Sequence, residues 1–281
     1  AAEGRILPHE TTVVEREERL AAYLDHVGAA SSPVVVATRF PTELRRLVAE
    51  ATAATPTVSV RSADGVRQTV WAPPAALRER IVAALGEVER AYLVDGHHRI
   101  AAAMRVAAAD PSRRRFLAAV FPLDELRNLA HHRALLSLGS SRSDELVAEL
   151  ERRFDAVGVD DVGAAVPGRP GEVGVVTRAG MCRFALPTGT GTDPERLARA
   201  VLADVVGIED ERTDPRVVHV PGVVAPDELA AAVAEGRLAA VFLLHPLPLE
   251  AFVEAAEAGR RLPPKSTWFS PKPRSGLFLA D

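Results

Sequence analysis

Cysteine is nearly absent from this 281-residue chain. The single cysteine, Cys182, cannot form an internal disulfide, and no cysteine pair at metal-ligand spacing exists that would bind zinc through thiolates. We therefore expect a reducing, cytoplasmic setting. No stretch approaches the ~20 apolar residues that span a bilayer, and the N-terminus lacks the basic-then-apolar pattern of a secretion signal. Neither membrane insertion nor secretion is expected.

An excess of positive charge is also absent. The chain has 34 Lys and Arg residues against 38 Asp and Glu residues, a net charge of −4, so as a whole it does not attract phosphate backbones or anionic lipid. The one dense basic run, Arg113 to Arg115, follows a predicted helix and an Asp-Pro turn. Solvated charge near a helix C-terminus is the ordinary explanation for such a run. We expect no nucleic-acid partner.

Aromatic residues make up only 5% of the chain, whereas hydrophobic residues make up 47%. Most of the hydrophobic residues are Ala, Val and Leu, which favours aliphatic packing between helices and a sheet and is enough for a real core. Short apolar runs alternate with amphipathic segments along the sequence. This pattern predicts an α/β protein with mixed sheets.

Apolar residues at helical spacing predict helices, and apolar runs between turn residues predict strands. The predicted helices are 15–27, 41–54, 74–85, 100–109, 144–154, 194–206, 226–234 and 249–258. The predicted strands are 33–37, 90–94, 116–121, 217–220 and 240–244, with hairpins over 58–70 and 173–186. A boundary near residue 125 would give two domains, 1–125 and 126–281. The Pro-rich end, 263–279, is predicted to be an ordered loop that closes into a strand.

The segment Asp95-Gly96-His97-His98-Arg99, which we call the Gly96 turn, lies between a predicted strand and a predicted helix. A glycine there lets the backbone approach a ligand, and the free N–H groups and positive dipole end of the helix favour an anion. Arg99 adds a fork that matches two phosphate oxygens, the imidazoles add donors, and Asp95 could hold magnesium or orient a hydroxyl. Asp-Gly is also a common turn dipeptide, so an ordinary turn explains the same residues.

The segment His9-Glu10-Thr11-Thr12 directly precedes the first predicted helix. A threonine hydroxyl there would cap free N–H groups, and an acid would be stabilised by the helix dipole. Glu10 has a second interpretation as a general base that takes a proton from a substrate hydroxyl. That role requires Glu10 to face the Gly96 turn across a cleft.

Two more groups are candidates for the same site. His132 and Arg133 are predicted at the edge of the cleft, with ordinary sheet residues as the alternative. A histidine zinc site is disfavoured because no helical i, i+4 His pair or fixed carboxylate spacing is present. The Pro-rich end holds its side chains stiffly, as a lid or anion contact requires, although solvated lysines on a tail would look the same. Its candidates are Lys265, Ser266, Thr267 and Lys272.

At these residues the chain resembles the DUF1015 family, domains of unknown function grouped with the ParB/sulfiredoxin-like superfamily and related to free serine kinases. The matching pieces occur in family order across nearly the whole chain. They are His9-Glu10-Thr11-Thr12, Val94-Asp95-Gly96-His97-His98-Arg99, His132-Arg133, and Pro264-Lys265-Ser266-Thr267 through Lys272-Pro273-Arg274-Ser275-Gly276. The resemblance implies a ParB/sulfiredoxin-like phosphate-binding domain over 1–125 and a second α+β domain over 126–281. Sulfiredoxins carry a catalytic cysteine at the corresponding turn. Histidines stand there in this chain, so sulfinic-acid reduction is disfavoured.

The resemblance also implies a kinase that uses ATP or ADP with Mg²⁺ to phosphorylate a small hydroxylated metabolite such as serine. Glu10, Asp95 and His98 would be catalytic, and Asp95 would bind the metal. The nucleotide contacts would be Gly96, His97, His98, Arg99, His132, Arg133, Lys265, Ser266, Thr267 and Lys272. We also allow for a homodimer. One alternative is a ParB-like nucleotide-binding switch without kinase activity, although the acidic charge and the lack of an evident helix-turn-helix disfavour its DNA-bound form. Another is a metal-dependent hydrolase that uses the histidines.

Overall fold

The computed structural model describes residues 4–262 and 265–280. The strands in this part of the chain are β1 Ile6–Pro8, β2 Val34–Thr38, β3 Val58–Arg61, β4 Arg67–Val70, β5 Ala91–Asp95, β6 Ala118–Pro122, β7 Arg127–Leu129, β8 His131–Leu135, β9 Val157–Val159, β10 Glu172–Thr177, β11 Gly180–Ala185, β12 Val217–Pro221, β13 Ala240–Leu244 and β14 Trp268–Ser270. The α-helices are α1 Val14–Val27, α2 Thr42–Thr52, α3 Ala75–Gly86, α4 His97–Ala109, α5 Ser143–Phe154, α6 Val162–Ala165, α7 Asp193–Leu197, α8 Pro226–Ala234 and α9 Leu249–Glu257. A π-helix, Ala198–Ala203, continues α7.

The smaller of the two main sheets has four strands in the order β1-β5-β2-β6. β1 runs parallel to β5, with Ile6 opposite Ala91 and Pro8 opposite Leu93. β2 is antiparallel to β5 and parallel to β6. Because β1 and β5 point the same way, the residues that follow them emerge at the same edge of the sheet. These residues are His9 and Glu10 after β1, and Gly96 and His97 after β5.

The larger sheet has six strands in the order β12-β8-β13-β10-β11-β9, and every neighbouring pair is antiparallel. Successive residues of a strand point to opposite faces, so this sheet has a core on each side. Leu135 and Phe242 pack on one face with Leu150 of α5. Ala134 and Val241 pack on the other face with Leu229 of α8.

The C-terminal elements pack back onto the smaller sheet. Phe252 of α9 and Phe269 of β14 share a buried cluster with Val35, Tyr92 and Val94. β14 pairs with β7, and Ala280 forms an antiparallel bridge with Ala30 near β2. Residues 265–280, which we call the C-terminal segment, therefore run along the part of the molecule that holds the Gly96 turn.

The α/β fold class with mixed sheets is confirmed, and each predicted helix is present. The predicted start of α4 at residue 100 was wrong, because α4 begins at His97 and so includes both histidines in its first turn. β1, β7 and β9 were not predicted, since three residues are too few to show an alternating pattern. β8 was not among the predicted strands either, because the polar residues 131–133 begin it. Among the described residues, none of the helices is both long and apolar enough to cross a membrane.

Candidate functional site

Three segments meet at the edge of the smaller sheet where β1 and β5 end. Glu10 follows β1, and its Oε2 lies 3.8 Å from Nδ1 of His97, the first residue of α4. Glu10 also forms a parallel bridge with Leu262, and the charge of Lys265 acts on its carboxylate. The structure therefore brings Glu10, the Gly96 turn and the start of the C-terminal segment together.

The Gly96 turn requires glycine. Gly96 has a φ of 93° in the left-handed region, and a Cβ at this position would lie 2.9 Å from Nε and Nη2 of Arg99. No side chain in the described part of the sequence caps α4 at Gly96. The first N–H groups of an α-helix have no partner within the helix, and the helix dipole places partial positive charge at the same end. This geometry suits an anion.

Asp95 is the centre of a charge cluster beside the turn. Its Oδ2 lies 2.5 Å from Nη2 of Arg99, and its Oδ1 lies 2.5 Å from Nζ of Lys272. The Lys272 ammonium also lies 4.3 Å from the centre of the Trp268 ring. The guanidinium of Arg99 folds back over Gly96. Both cations thus contact Asp95, and an incoming phosphate would compete with that carboxylate for them.

Burial sets the protonation of the groups around Glu10. His9 is 0% exposed and His97 is 6% exposed. Removal from water disfavours the charged imidazole and lowers the pKa of His9 to about 4 and that of His97 to about 2, so both rings are neutral near pH 7. Nε2 of His97 has no hydrogen-bond partner within the described residues. Burial raises the pKa of Glu10 above its usual range, and Lys265 opposes that rise.

His98 points toward α1 and not into the Gly96 turn. Its Nε2 accepts a hydrogen bond of 3.1 Å from the main-chain N–H of Val13, the residue just before α1. The predicted threonine cap was wrong, because no side-chain cap is present at Val13 and the Thr12 hydroxyl donates to Glu17. The imidazole of His98 thus satisfies an N–H group at the start of α1.

His132 and Arg133 lie inside the larger sheet and not at the edge of a cleft, which corrects the predicted position. Arg133 is 0% exposed, and its Nε and Nη2 donate to Glu211 at 2.6 and 3.0 Å. Nδ1 of His132 accepts from the main-chain N–H of Leu244 at 3.1 Å. These contacts hold β8 in the sheet. Arg133 approaches the site only through the carbonyl of Lys265, at 3.4 Å.

Two hydroxyl candidates in the C-terminal segment, Ser266 and Thr267, are buried. Oγ1 of Thr267 lies 3.0 Å from Nε2 of His9, so this hydroxyl contacts the imidazole and does not face solvent. Lys265 is exposed and has a φ of 65°. Of the predicted hydroxyl and lysine contacts, Lys265 and Lys272 are the ones whose side chains are at least partly exposed beside the turn.

A cavity of about 270 Å³ borders the C-terminal segment through Leu262 and Ser266. Its other walls combine apolar side chains with His131, His245 and Arg260. Gly96 does not line it, so this cavity and the Gly96 turn are separate features that share the segment next to Glu10. Sequence reasoning missed the cavity, because its walls come from positions far apart in the chain.

The histidine hydrolase alternative lacks a metal cluster. Over residues 4–262 and 265–280, no group of three or more His, Cys, Asp or Glu side chains could hold a metal ion. Cys182 is buried in β11, and burial raises the pKa of its thiol to about 11, so it is not an activated nucleophile.

Acidification is expected to destabilise the protein. Burial lowers the pKa values of His9, His97, His131 and His132 to about 4, 2, 3 and 4, from 6.5 when unfolded. As pH falls, histidines in the unfolded chain bind protons before those in the folded protein. The contribution of the neutral, buried histidines to the free energy of unfolding is therefore complete above pH 6.5. It is lost as pH falls below that value, by up to about 2 kcal/mol per histidine at pH 5. Glu10, with a raised pKa, acts in the opposite direction. Urea unfolding at pH 7.5 and 5.0 measures the difference.

The control for this pH dependence is exposed His26. His26→Gln should leave the loss of unfolding free energy between the two pH values unchanged, whereas His131→Gln should reduce it. Equal stability of the wild type at pH 7.5 and 5.0 would show that these histidines are not buried in the neutral form.

The fold is shared with solved structures of nucleotide-bound kinases. The chain is similar to free serine kinase in complex with AMP, with a TM-score of 0.51 and 16% identity over 94% of this chain and 83% of that chain. It is similar in the same way to a glutamate-to-alanine mutant of free serine kinase in complex with ADP, with a TM-score of 0.51 and 15% identity over 94% and 84% of the two chains. At these identities the likeness is one of fold.

The sequence itself matches the family model described as Protein of unknown function (DUF1015) over residues 1–205. The chain therefore belongs to the DUF1015 family. No curated protein matches it.

Proposed function

We propose that this protein transfers the terminal phosphoryl group of ATP or ADP to a hydroxyl group of a small metabolite such as serine. The observation that carries the proposal is the position of the partly exposed Glu10 carboxylate, whose Oε2 lies 3.8 Å from Nδ1 of His97. His97 is the first residue of α4, and the N-terminus of this helix has no side-chain cap among the described residues. The fold that the chain shares with free serine kinase bound to AMP or ADP supports the same conclusion.

Glu10 would act as the general base. The substrate oxygen forms a bond to the terminal phosphorus, the bond from that phosphorus to the nucleotide oxygen breaks, and Glu10 takes the hydroxyl proton. The nucleotide leaves as ADP or AMP. A carboxylate whose pKa is raised by burial is a stronger base than an exposed one, which favours proton transfer near neutral pH. Phosphoryl transfer otherwise depends mainly on positioning and charge neutralisation.

The phosphates would lie on the Gly96 turn. The N–H groups of His97, His98 and Arg99 point outward from the first turn of α4, where an anion is stabilised. Arg99 and Lys272, which both contact Asp95 in this structure, would exchange that carboxylate for phosphate oxygens. Lys265 would balance negative charge near Glu10, and His98 would position the turn through its bond to α1.

Magnesium would contact Asp95. This ion is usually bound by one or two carboxylates together with substrate phosphates and water, so a single carboxylate beside a phosphate site fits its chemistry. Magnesium can bind Oδ1 of Asp95 only when the Lys272 ammonium leaves that oxygen, and it would leave when Lys272 turns to the phosphates. The ion would neutralise charge on the terminal phosphates.

We also propose the domain organisation 1–125 and 126–281, with the first part as the ParB/sulfiredoxin-like phosphate-binding domain. The four strands of the smaller sheet come from residues 6–122 and support this division. α9 and the C-terminal segment belong to the second part and pack against the first.

Nucleotide is expected to stabilise the protein against heat. A ligand present at ~100 times its dissociation constant stabilises the native state by ~2.7 kcal/mol. We expect ATP or ADP with Mg²⁺ to raise the melting temperature, and Zn²⁺ alone to leave it unchanged. A rise with Zn²⁺ and none with nucleotide would contradict the proposed site.

Mass spectrometry of the protein incubated with ATP and a pool of amino acids then detects the phosphorylated product. Binding without product would favour the nucleotide-dependent switch.

A further inference from the structure

His9 joins three segments at the candidate site. Its Nδ1 lies 2.8 Å from the carbonyl oxygen of Leu93 in β5, and its Nε2 lies 3.0 Å from Oγ1 of Thr267 in the C-terminal segment. The ring is fully buried and packs edge-on against the rings of Phe252 and His97, with distances between ring centres of 4.7 and 4.5 Å. Both ring nitrogens are therefore bonded, one to each neighbouring segment.

The direction of both hydrogen bonds follows from chemistry. A carbonyl oxygen only accepts, so Nδ1 of His9 carries the hydrogen and donates it to Leu93. Burial lowers the pKa of His9 to about 4, so the ring is neutral near pH 7 and Nε2 carries a lone pair. Nε2 must then accept, which makes the Thr267 hydroxyl the donor. The order is Thr267 to His9 to Leu93.

We infer that His9 and Thr267 are positioning residues, whose hydrogen bond holds the Glu10 carboxylate and the Lys265 main chain against the Gly96 turn. This inference rests on the phosphoryl transfer proposed above. His9 directly precedes Glu10, and Thr267 lies two residues after Lys265, whose charge acts on the Glu10 carboxylate. Leu93 is two residues from Asp95. One bonded imidazole thus fixes the base relative to the phosphate turn.

The contacts of Lys272 are separate from this bond. Lys272 is held by Asp95 and by the Trp268 ring, and β14 is held by its pairing with β7. Loss of the Thr267 hydroxyl should therefore disturb the Glu10 and Lys265 end of the segment and leave the phosphate contacts of Lys272. The effect should fall on kcat more than on the KM for ATP.

The test compares Thr267→Val, which removes the donor, with Thr267→Ser, which keeps it. Thr177→Val is the matched control, because Thr177 is also buried and donates within the β10–β11 hairpin of the larger sheet. We expect Thr267→Val to lower kcat about 10- to 100-fold, as displacement of a reacting group by ~1 Å does, with little change in KM for ATP. Thr267→Ser and Thr177→Val should stay close to wild type. Equal kcat in all variants, or equal losses in Thr267→Val and Thr267→Ser, would overturn the inference.

Two NMR measurements decide the inference without activity. The ¹⁵N shifts of His9 in the wild type should show a protonated Nδ1 and an unprotonated, hydrogen-bonded Nε2, and the opposite tautomer would overturn it. The ¹³C titration of Glu10 should show a pKa higher in Thr267→Val than in wild type, because its carboxylate moves away from the charge of Lys265, and a return to the wild-type value in Thr267→Ser. Identical titrations would overturn it. If the wild type forms no phosphorylated product, the proposed function fails and these measurements still test the positioning role.

Discussion

Replacement of Glu10 by glutamine is expected to lower the rate of phosphoryl transfer by about 10²- to 10⁴-fold while ADP still binds. Glutamine has nearly the same shape but cannot accept the hydroxyl proton, and the loss corresponds to the usual contribution of a general base. The phosphates would be held by the N–H groups of α4 and by Arg99 and Lys272, and the ion-pair partner of both cations in this structure is Asp95 and not Glu10. Single-turnover phosphorylation and ADP calorimetry measure the two effects separately.

The matched control is Glu15→Gln, since Glu15 is an exposed acid in the first turn of α1. It should leave both the rate and the affinity unchanged. A Glu10→Gln protein that transfers phosphate at the wild-type rate would remove Glu10 from the chemistry. Loss of ADP binding in this variant would instead show that Glu10 supports the structure of the turn.

Gly96→Val is expected to lower ADP affinity about 100-fold, or by about 2.8 kcal/mol. The φ of 93° is a strained conformation for a β-branched residue, and the new Cβ would lie 2.9 Å from the Arg99 guanidinium. Arg99 is flexible and can move, but the backbone has to rotate toward negative φ to relieve its own strain. That rotation would turn the first N–H groups of α4 away from the phosphates.

Gly28→Val separates this effect from a general loss of stability. Gly28 ends α1 with a φ of 72°, and a Cβ there would meet no atom within 4 Å. Both variants carry backbone strain of roughly 1–3 kcal/mol, but only the change at Gly96 should weaken ADP binding. Unchanged affinity in Gly96→Val, or equal losses in both variants, would contradict a phosphate site at this turn. Calorimetry with ADP measures the affinities, and urea unfolding measures the strain.

Sequence patterns over a few residues predicted the helices and turns that depend on neighbouring residues alone. Leu44 and Leu47 repeat at helical spacing and lie buried in α2, and Gly96 marks a turn because of its own backbone freedom. The strand β1 was missed because Ile6–Pro8 has no alternation and is stabilised by β5, more than 80 residues later. Its absence from the prediction also hid the reason that Glu10 lies beside His97, which is the parallel pairing of β1 and β5.

The candidate site residues show the same limit. Arg133 is a residue type that commonly contacts phosphate. Its position, however, depends on Glu211, a partner 78 residues away that no local pattern indicates. His98 and Thr267 are likewise bonded to distant groups, Val13 and His9. Sequence reasoning gave His9 no role of its own, because the burial and the two hydrogen bonds of its imidazole are not visible in the sequence. Side-chain roles that depend on long-range partners need the structure.

Amide hydrogen exchange at the Gly96 turn, followed with and without ADP, tests the phosphate site most directly. We expect ADP to slow exchange of the main-chain N–H groups of residues 97–99, the first turn of α4, more than that of the first turn of α8, which packs on the larger sheet. Slowed exchange elsewhere with no change at residues 97–99, at an ADP concentration that saturates binding, would contradict the account.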